Sequence, residues 1–169
     1  FKIWSAGCST GEEPYTLGML LEEYRQQYPG FMYEILGTDI STDVLKKAAL
    51  GVYKHDKIEP VPMDLRKKYL LKGKGRYEDM VRMVPAIREK VRYARLNFMD
   101  ETYRISEKFD MIFCRNVLIY FEHDNQERII NKLCQFLKTG GMFFLGHSES
   151  ITRMNVPLKQ IKPTIFQKI

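Results

Sequence analysis

The chain has few residues of the kinds that build metal sites, disulfide frameworks and hydrolytic triads. Its 169 residues include 3 cysteines and 3 histidines. The cysteines have neither zinc-site nor disulfide spacing, so we expect them to be small buried apolar residues of a protein in a reducing compartment such as the cytoplasm. The histidines form no Ser-His-Asp or metal pattern, and we expect no metal site. These residues are Cys8, Cys114, Cys134, His55, His123 and His147.

Long apolar runs are also absent. No run approaches the roughly 20 residues that a membrane-spanning helix needs, and we find no signal peptide, repeat or low-complexity tract. The length suits one domain, and 44% hydrophobic residues allow a core of ordinary size. Because the chain opens inside an apparent strand, we expect its native N-terminus to lie upstream of Phe1.

Positive charge is concentrated in one segment. Residues 54–95 carry 13 Lys and Arg against 6 Asp and Glu, a net charge of +7, whereas the whole chain is +6, which leaves −1 for the remainder. A surface of this sign attracts acidic partners. The same charge is also typical of the solvated face of a small subdomain.

The first residues combine a short apolar run, a glycine-containing turn and a helical pattern. Residues 1–6 are typical of a buried strand, residues 7–11 of a turn, and the residues after Pro14 of a helix. We expect one apolar face on this helix, which begins a doubly wound α/β domain with its ligand site at the strand ends. The residues expected on or near that face are Tyr15, Leu17, Leu20, Leu21, Tyr24 and Tyr28.

The turn carries neither of two common nucleotide-binding signatures. Ser9 stands where G-x-G-x-x-G has its second glycine, and no Gly-Lys-Ser/Thr follows. Glu12 and Glu13 at the start of the helix would repel a pyrophosphate. The turn therefore favours a ligand with hydroxyls, an amine or a positive charge.

The alternation of strands and helices continues along the chain. We predict a strand over 32–38, a helix over 42–50 that is capped by Ser41 and ended by Gly51, and an inserted, partly antiparallel β-subdomain over about 53–90. Two main strands follow over 91–98 and 109–114. These elements imply a parallel sheet with right-handed crossovers.

The last third of the chain predicts one more helix and three strands. Residues 124–127 are similar to a capping box, an apolar stripe follows, and Gly140 and Gly141 are expected to end the helix. A strand over 142–145 comes next, and an antiparallel pair over 158–161 and 165–169 is expected at the end of the sheet. The stripe consists of Ile129, Ile130, Leu133, Phe136 and Leu137.

Four segments in a fixed order resemble one enzyme family. They are Ser-Ala-Gly-Cys-Ser-Thr-Gly-Glu-Glu-Pro-Tyr at 5–15, Gly-Thr-Asp-Ile at 37–40, Phe-Asp-Met-Ile-Phe-Cys-Arg-Asn-Val-Leu-Ile-Tyr-Phe at 109–121 and Gly-His-Ser-Glu at 146–149. Together they resemble the CheR-type chemoreceptor glutamate O-methyltransferases. The resemblance implies a class I, Rossmann-like methyltransferase domain over 1–169 that transfers a methyl group from S-adenosylmethionine to receptor glutamates. It also implies a helical domain ahead of the first strand, which we expect to be absent from this chain.

The resemblance assigns cofactor contacts to residues at three strand ends. Asp39 is expected to accept the ribose hydroxyls, although it can also cap the next helix. Glu13 matches an acid near the amino-acid part of the cofactor, or forms a capping box with Thr10. Asn97 is expected at the adenine, or is a turn residue. The further expected contacts are Ala6, Gly7, Ser9, Thr10, Ile40, Phe98 and Asn116.

Arg115 and Tyr120 are the candidate catalytic residues, and the resemblance also places them at the cofactor. A buried arginine must be paired, so Arg115 should face an acid or the substrate carboxylate. Tyr120 is alternatively a core residue, as Leu118, Ile119 and Phe121 are expected to be. No role follows for His147, Ser148 and Glu149 beyond a place near the cleft.

The expected reaction needs no general base, because a glutamate with a pKa near ~4.3 is already ionised at neutral pH. The scarcity of histidines fits this chemistry and fits a non-catalytic binder equally well. The alternatives are therefore a methyltransferase acting on another signalling protein and a non-catalytic cofactor-binding or docking module. A nicotinamide-dependent dehydrogenase is disfavoured by Ser9 and by the pair Glu12 and Glu13.

The expected partners are acidic. The basic segment 54–95 is predicted to contact chemoreceptor helices, and the resemblance allows a second role in binding a peptide from the receptor's tail. We expect neither a nucleic-acid partner nor membrane insertion.

Overall fold

The computed structural model describes residues 1–169, and its centre is a seven-stranded, mostly parallel sheet. Short 3-10 turns lie at His55–Ile58, Gly75–Tyr77 and Leu118–Tyr120. In chain order the strands and helices are β1 (Lys2–Ala6), α1 (Glu12–Gln27), β2 (Glu34–Asp39), α2 (Thr42–Leu50), β3 (Val52–Lys54), α3 (Met63–Tyr69), β4 (Leu70–Lys72), β5 (Met80–Met83), α4 (Pro85–Arg88), β6 (Val91–Arg95), β7 (Phe109–Cys114), α5 (His123–Phe136), β8 (Leu137–Leu145), β9 (Leu158–Lys162) and β10 (Ile165–Lys168).

The strand order is β6-β2-β1-β7-β8-β10-β9. The first five strands are parallel, and β10 and β9 close the sheet as an antiparallel pair. The predicted doubly wound α/β fold with this terminal pair is confirmed. The chain runs outward from β1 to β2 and β6 in one direction and from β7 to β8 in the other. A fold of this kind places its ligand crevice where the direction changes, beyond the carboxyl ends of β1 and β7.

The two faces of the sheet carry separate apolar clusters. Alternate residues of β1 point to opposite faces, so Ile3 joins one cluster and Trp4 the other. The Trp4 cluster includes residues of α5, and the Ile3 cluster includes residues of α1, α4, β3 and β5. The main sheet is therefore covered on both sides, as a largely parallel sheet requires.

The predicted apolar face of α1 is partly wrong. Leu20, Tyr24 and Tyr28 are about half exposed, whereas the buried face runs through Tyr15, Gly18, Met19 and Glu22. A side chain at Gly18 would lie 2.6 Å from Ile87 of α4. Because Gly18 has no side chain, the face that carries it can approach α4 and the sheet closely. This close approach, and not the positions of the large apolar residues, determines which face of α1 is buried.

The predicted helix α2 has the expected ends. The hydroxyl of Ser41 accepts a hydrogen bond from the N–H of Val44 at 3.4 Å, and Gly51 ends the helix with φ +62°. A left-handed residue after the last turn is a common helix stop, and glycine adopts this conformation at little cost.

The end of α5 differs from the prediction. The helix begins at His123 with no side-chain cap and ends at Phe136, so Gly140 and Gly141 lie inside β8. The stripe residues Ile129, Ile130 and Leu133 are buried as expected. Lys168 of β10 donates to the carbonyl oxygens of Cys134 and Leu137 at 2.6 and 2.8 Å. This ammonium satisfies carbonyls at the helix end that a glycine cap would otherwise serve.

Residues between α2 and α4 form a second, antiparallel sheet, which we call the small sheet, in the order β3-β5-β4. Its inner face contributes Tyr53, Val81 and Met83 to the Ile3 cluster. A side chain at Gly73 would overlap the carbonyl oxygen of Tyr77, so the tight connection between β4 and β5 requires glycine there. None of the helices combines the length and apolar character that a membrane crossing needs.

Glu22, on the buried face of α1, is the only buried acidic side chain, and its pairing leads to a testable prediction. Arg25 donates to its carboxylate at 2.5 to 3.1 Å, and the hydroxyl of Tyr33 donates at 3.2 Å. The hydrogen bond from Arg25, more than that from Tyr33, lowers the pKa of Glu22. We expect Arg25→Ala to lower the melting temperature at pH 7, because the buried carboxylate loses its cationic partner.

The effect of Arg25→Ala should depend on pH. Since the folded pKa of Glu22 lies below the unfolded value of ~4.3, the stabilisation is present above that pH and is lost as the pH falls through the folded pKa. Melting curves should therefore differ at pH 7 and converge at acid pH, once the Glu22 carboxylate of the folded protein is protonated. Lys46→Ala, which removes the exposed pair with Asp43, is the matched control and should be neutral. An Arg25→Ala effect of equal size at both pH values would contradict the assignment.

Candidate functional site

The turn after β1 is pressed against the ends of β2 and β7. The N–H groups of Gly7 and Cys8 both donate to the carbonyl oxygen of Thr38 at 2.8 Å. Gly7 has φ +84°, and a side chain there would lie 3.0 Å from that of Val117. Glycine is therefore required both by the backbone conformation and by the close approach. This turn and the loop after β7 form two walls of one cleft.

Asp39, the last residue of β2, holds the same turn in place. One carboxylate oxygen accepts from the N–H of Ser9 at 3.0 Å, and the other accepts from the N–H of Ser41 at 3.0 Å. Ser41 itself caps α2, so Asp39 is not needed as the side-chain cap. Each oxygen has a second lone pair, and the carboxylate lines an open pocket. It can therefore accept two more hydrogen bonds.

The pocket at Asp39 has a volume of about 210 Å³. Its lining combines one carboxylate and one amide with apolar and aromatic surface, which is the usual composition of a small-molecule site. Six of the predicted residues meet here, and Leu96, Val117 and Phe121 were not predicted. The lining residues are Gly7, Asp39, Ile40, Leu96, Asn97, Phe98, Val117, Tyr120 and Phe121.

Asn97 is both a turn residue and a pocket residue. Its side-chain oxygen accepts from the N–H of Met99 at 3.0 Å, and its carbonyl oxygen accepts from the N–H of Asp100 at 3.1 Å. No hydrogen bond within the protein engages its side-chain NH₂ group, although the residue lines the pocket. Phe98 beside it is nearly buried and packs against Phe121. Asn97 is therefore a turn residue that also lines the pocket, so the two alternatives do not exclude each other.

Glu13 and Arg115 face each other across the point where the strand order changes direction. Arg115 lies 3.3 Å from one oxygen of Glu13, and the hydroxyl of Ser5 donates to the other oxygen at 2.7 Å. Burial raises the pKa of Glu13, although the hydrogen bond from Ser5 and the charge of Arg115 act in the opposite direction. The expected capping box is absent, because the hydroxyl of Thr10 donates to Glu12 instead.

The loop after β7 is more exposed than the sequence suggested. The Arg115 side chain is 39% exposed, so the arginine is paired but not buried. Tyr120 is 80% exposed and Ile119 is 49% exposed, which excludes both from the core; Leu118 is buried as expected. Asn116 is in the left-handed conformation with φ +58°, which asparagine tolerates better than most residues. The tight turn points Tyr120 out over the pocket.

Two of the expected cofactor contacts point elsewhere. The side chain of Ala6 lies in the Trp4 cluster, so only its backbone borders the turn. Thr10 bonds to Glu12, and its carbonyl oxygen accepts from the hydroxyl of Tyr53 on the small sheet at 2.8 Å. Thr10 therefore links the turn to the second sheet and does not line the pocket.

The cysteines are free and buried, as the sequence indicated. Burial raises the pKa of Cys8 to about 12 and that of Cys114 well above its usual value. A thiol with so high a pKa is a poor nucleophile at neutral pH. No group of three or more His, Cys, Asp or Glu side chains is arranged to hold a metal ion.

Several residues of the site were missed by sequence reasoning. Leu96, Val117 and Phe121 are neighbours in sequence of predicted residues, and adjacency was the only available signal for them. Glu149 approaches the loop after β7 from the end of β8 and accepts hydrogen bonds from its backbone. The segment Gly-His-Ser-Glu drew attention to this residue, but nothing local to it specified backbone amides as its partners.

Comparison with known proteins agrees with this geometry. Residues 1–166 match the family model described as CheR methyltransferase, SAM binding domain. The chain is 42% identical over 168 residues to a chemotaxis protein methyltransferase of Borreliella burgdorferi. This alignment covers 99% of this chain and 58% of that protein. It is 36% identical over 154 residues to the chemotaxis protein methyltransferase of Escherichia coli, covering 91% of this chain and 54% of the relative. The chain thus spans little more than half of these relatives.

A solved structure supports the fold independently. The CcbJ methyltransferase of Streptomyces caelestis superposes with a TM-score of 0.52 at 15% identity, over 85% of this chain and 44% of that one. At this identity the likeness concerns the fold alone, and it agrees with the predicted class I methyltransferase architecture. Because the family model matches residues 1–166 of the 169, the chain belongs to the family of CheR methyltransferase SAM-binding domains.

Proposed function

We propose that this chain is the cofactor-binding part of an enzyme that forms methyl esters on glutamate side chains of bacterial chemoreceptors during chemotactic adaptation. The observation that carries the proposal is the meeting of the Asp39 pocket with the Glu13–Arg115 pair at one sheet edge, in a chain of the CheR family. The relatives that carry the name chemotaxis protein methyltransferase are longer than this chain. The activity of the whole enzyme is therefore part of the proposal.

The pocket suits S-adenosylmethionine, the cofactor in the family's description. Asp39 has acceptor capacity left for the two hydroxyls of a ribose. The side-chain amide of Asn97 is available for the edge of a purine, and Phe98 and Leu96 offer apolar surface to its ring. Glu13 lies at the start of α1, where a carboxylate suits the ammonium group of the amino-acid part. The Gly7–Ser9 backbone would border the cofactor.

Methyl transfer to a carboxylate requires alignment of the reacting groups and does not require proton transfer. When bound, S-adenosylmethionine supplies an electrophilic methyl group. The attacking glutamate has an ordinary pKa of ~4.3 and is ionised at neutral pH, so the site needs no base to activate it. The protein has to orient the carboxylate and exclude water from it. The side chains near the pocket suit this task.

Arg115 and Tyr120 are the residues we assign to alignment. The Arg115 guanidinium has five donors, and its contact with Glu13 at 3.3 Å leaves others free for a substrate carboxylate. Tyr120, 80% exposed at the pocket rim, presents its hydroxyl to an incoming side chain. Asn116 between them shapes the turn through its left-handed backbone.

We assign receptor docking to the basic segment 54–95, and we place the reaction in the cytoplasm, where receptor helices of this kind are modified. The segment's net charge of +7 suits acidic helices. On the small sheet, the exposed side chains of Leu71 and Tyr77 lie beside Lys72 and Arg82 along a shallow groove. β4 is an edge strand of that sheet, and an edge can accept an extended tail peptide as a further strand.

Substitution of Asp39 tests cofactor binding. Asp39→Asn removes a charge-assisted acceptor that is worth roughly 1.5–3 kcal/mol, so affinity for S-adenosylmethionine should fall tenfold or more in calorimetry. Asp43→Asn, an exposed acid four residues away, is the matched control and should bind as wild type does. Equal affinity of the Asp39 variant would remove this residue from the site. A preference of the wild-type protein for a nicotinamide dinucleotide would overturn the cofactor assignment.

Substitution of Tyr120 tests the alignment role. In the intact enzyme, Tyr120→Phe should lower turnover by more than it lowers cofactor affinity, because the hydroxyl is assigned to the substrate side. Tyr24→Phe, on the exposed face of α1, is the control. The pH–rate profile should have no limb near ~6.5, the usual pKa of histidine. A limb there that disappears in His147→Ala would show that a base takes part.

Substitution of the basic segment tests docking. Replacing Lys72, Lys74 and Arg76 with alanine should raise the apparent KM for a purified receptor fragment and flatten its dependence on salt. Cofactor affinity should stay unchanged. A control variant with the same loss of charge carries alanine at exposed lysines outside the segment, namely Lys46, Lys159 and Lys162. Methylation by the first variant at the wild-type rate in low salt would exclude this surface.

A further inference from the structure

The carboxylate of Glu149 is bound entirely by backbone amides. One oxygen accepts from the N–H groups of Val117 and Leu118 at 2.9 and 2.8 Å. The other oxygen accepts from the N–H groups of Gly146 and Asn116 at 2.7 and 3.0 Å. Three of these donors are consecutive residues of the loop after β7, and the fourth is at the end of β8. A single side chain therefore joins the ends of two neighbouring strands.

This arrangement leaves the carboxylate no capacity for a ligand. An ionised carboxylate offers about four acceptor positions, and four N–H groups already occupy them. Gly146 is needed for the close fit, because a side chain there would overlap the side chain of Asn116 and lie 2.9 Å from Glu149. Glu149 thus has no hydrogen-bonding capacity left for cofactor or substrate, and we expect its effect to pass through the loop.

The loop that it holds is the one that carries the proposed alignment residues. Arg115 and Tyr120 flank the amides that Glu149 binds, and Val117 and Tyr120 also line the Asp39 pocket. Asn116 has a left-handed backbone, which asparagine adopts more readily than most residues but which still has a conformational cost that the surroundings must offset. Without the carboxylate, the consecutive N–H groups ahead of the 3-10 turn Leu118–Tyr120 lose their acceptor.

We propose that Glu149 is a positioning residue, whose carboxylate fixes the loop after β7 so that Arg115 and Tyr120 are held in a reactive orientation. The proposal deepens the function proposed above and rests on it for the effect on turnover. The loop geometry itself can be tested without any methyl transfer. Because a displacement of about 1 Å can cost a hundredfold in rate, the turn need only loosen, and not unfold, to affect catalysis.

The decisive variant is Glu149→Gln in the intact protein. Glutamine preserves size but turns an oxygen that accepts two hydrogen bonds into an NH₂ donor facing N–H groups. Since the NH₂ group can face either pair of donors, we expect amide hydrogen exchange to rise about tenfold or more at one pair, Val117 and Leu118 or Asn116 and Gly146. Turnover should fall about tenfold or more. Affinity for S-adenosylmethionine should fall by less than turnover does, because Glu149 does not bind the turn at Asp39. Glu122→Gln, an exposed acid with no side-chain capping bond, is the matched control and should change none of these.

A second variant protects the test against misfolding. Glu149→Asp keeps both oxygens but shortens their reach, and should give intermediate exchange and intermediate turnover. Exchange at residues 116–118 that matches the Glu122→Gln control in both Glu149 variants would overturn the proposal, as would unchanged turnover in Glu149→Gln. If the wild-type protein transferred no methyl group, the proposed function would fail while the exchange measurement still decided the role of Glu149. If the enzyme were active but hydrogen exchange were unchanged, the proposed function would stand and the proposed role of Glu149 would fail.

Discussion

The parallel pairing of β1 with β2 on one side and with β7 on the other is the constraint on which the rest of this structure depends. It brings the turn after β1, the end of β2 and the loop after β7 to one edge of the sheet. Residues distant in the chain meet there, and the contact of Glu13 with Arg115 spans 102 positions. The two apolar clusters hold the strand between them, since its Ile3 and Trp4 side chains enter opposite faces. The strand ends are therefore held by the sheet, whereas the loop after β7 carries the exposed side chains of Arg115 and Tyr120.

Backbone amides and carboxylates organise this edge. Asp39 binds the amides of Ser9 and Ser41 and so ties the first turn to the start of α2. Glu149 binds the amides of the loop after β7. The two acids differ in their remaining hydrogen-bond acceptor capacity. Asp39 lines a pocket and can accept further hydrogen bonds, whereas all the acceptor positions of Glu149 are occupied. Two acids with similar partners therefore suit different tasks, one as a ligand-binding group and the other as a support.

The electrostatics of the pocket suit a ligand with hydroxyls and positive charge. Glu13 and Asp39 supply negative charge at this edge of the sheet, and the guanidinium of Arg115 lies 3.3 Å from Glu13. Burial raises the pKa of Glu13 while its partners oppose that shift, which means that the charged form depends on Ser5 and Arg115. Most of the basic segment 54–95 lies outside the main sheet, in the small sheet and its connections, and only β6 (Val91–Arg95) belongs to the main sheet.

The sequence by itself determined the order of the main-sheet strands along the chain, the ends of α2, the antiparallel closing pair and the strand ends at which Asp39, Asn97 and Arg115 lie. These features depend on local signals, namely apolar runs, caps and glycines, and on four motifs in order. Only the tertiary structure decided which face of α1 is buried, where α5 ends, and how far Arg115 and Tyr120 are exposed. Gly18 admits Ile87, and Lys168 satisfies the end of α5, from elements that are remote in the chain. The role of Glu149 also depends on the tertiary structure. Its partners are backbone amides, which every residue except proline carries, so no residue type in the sequence indicates them.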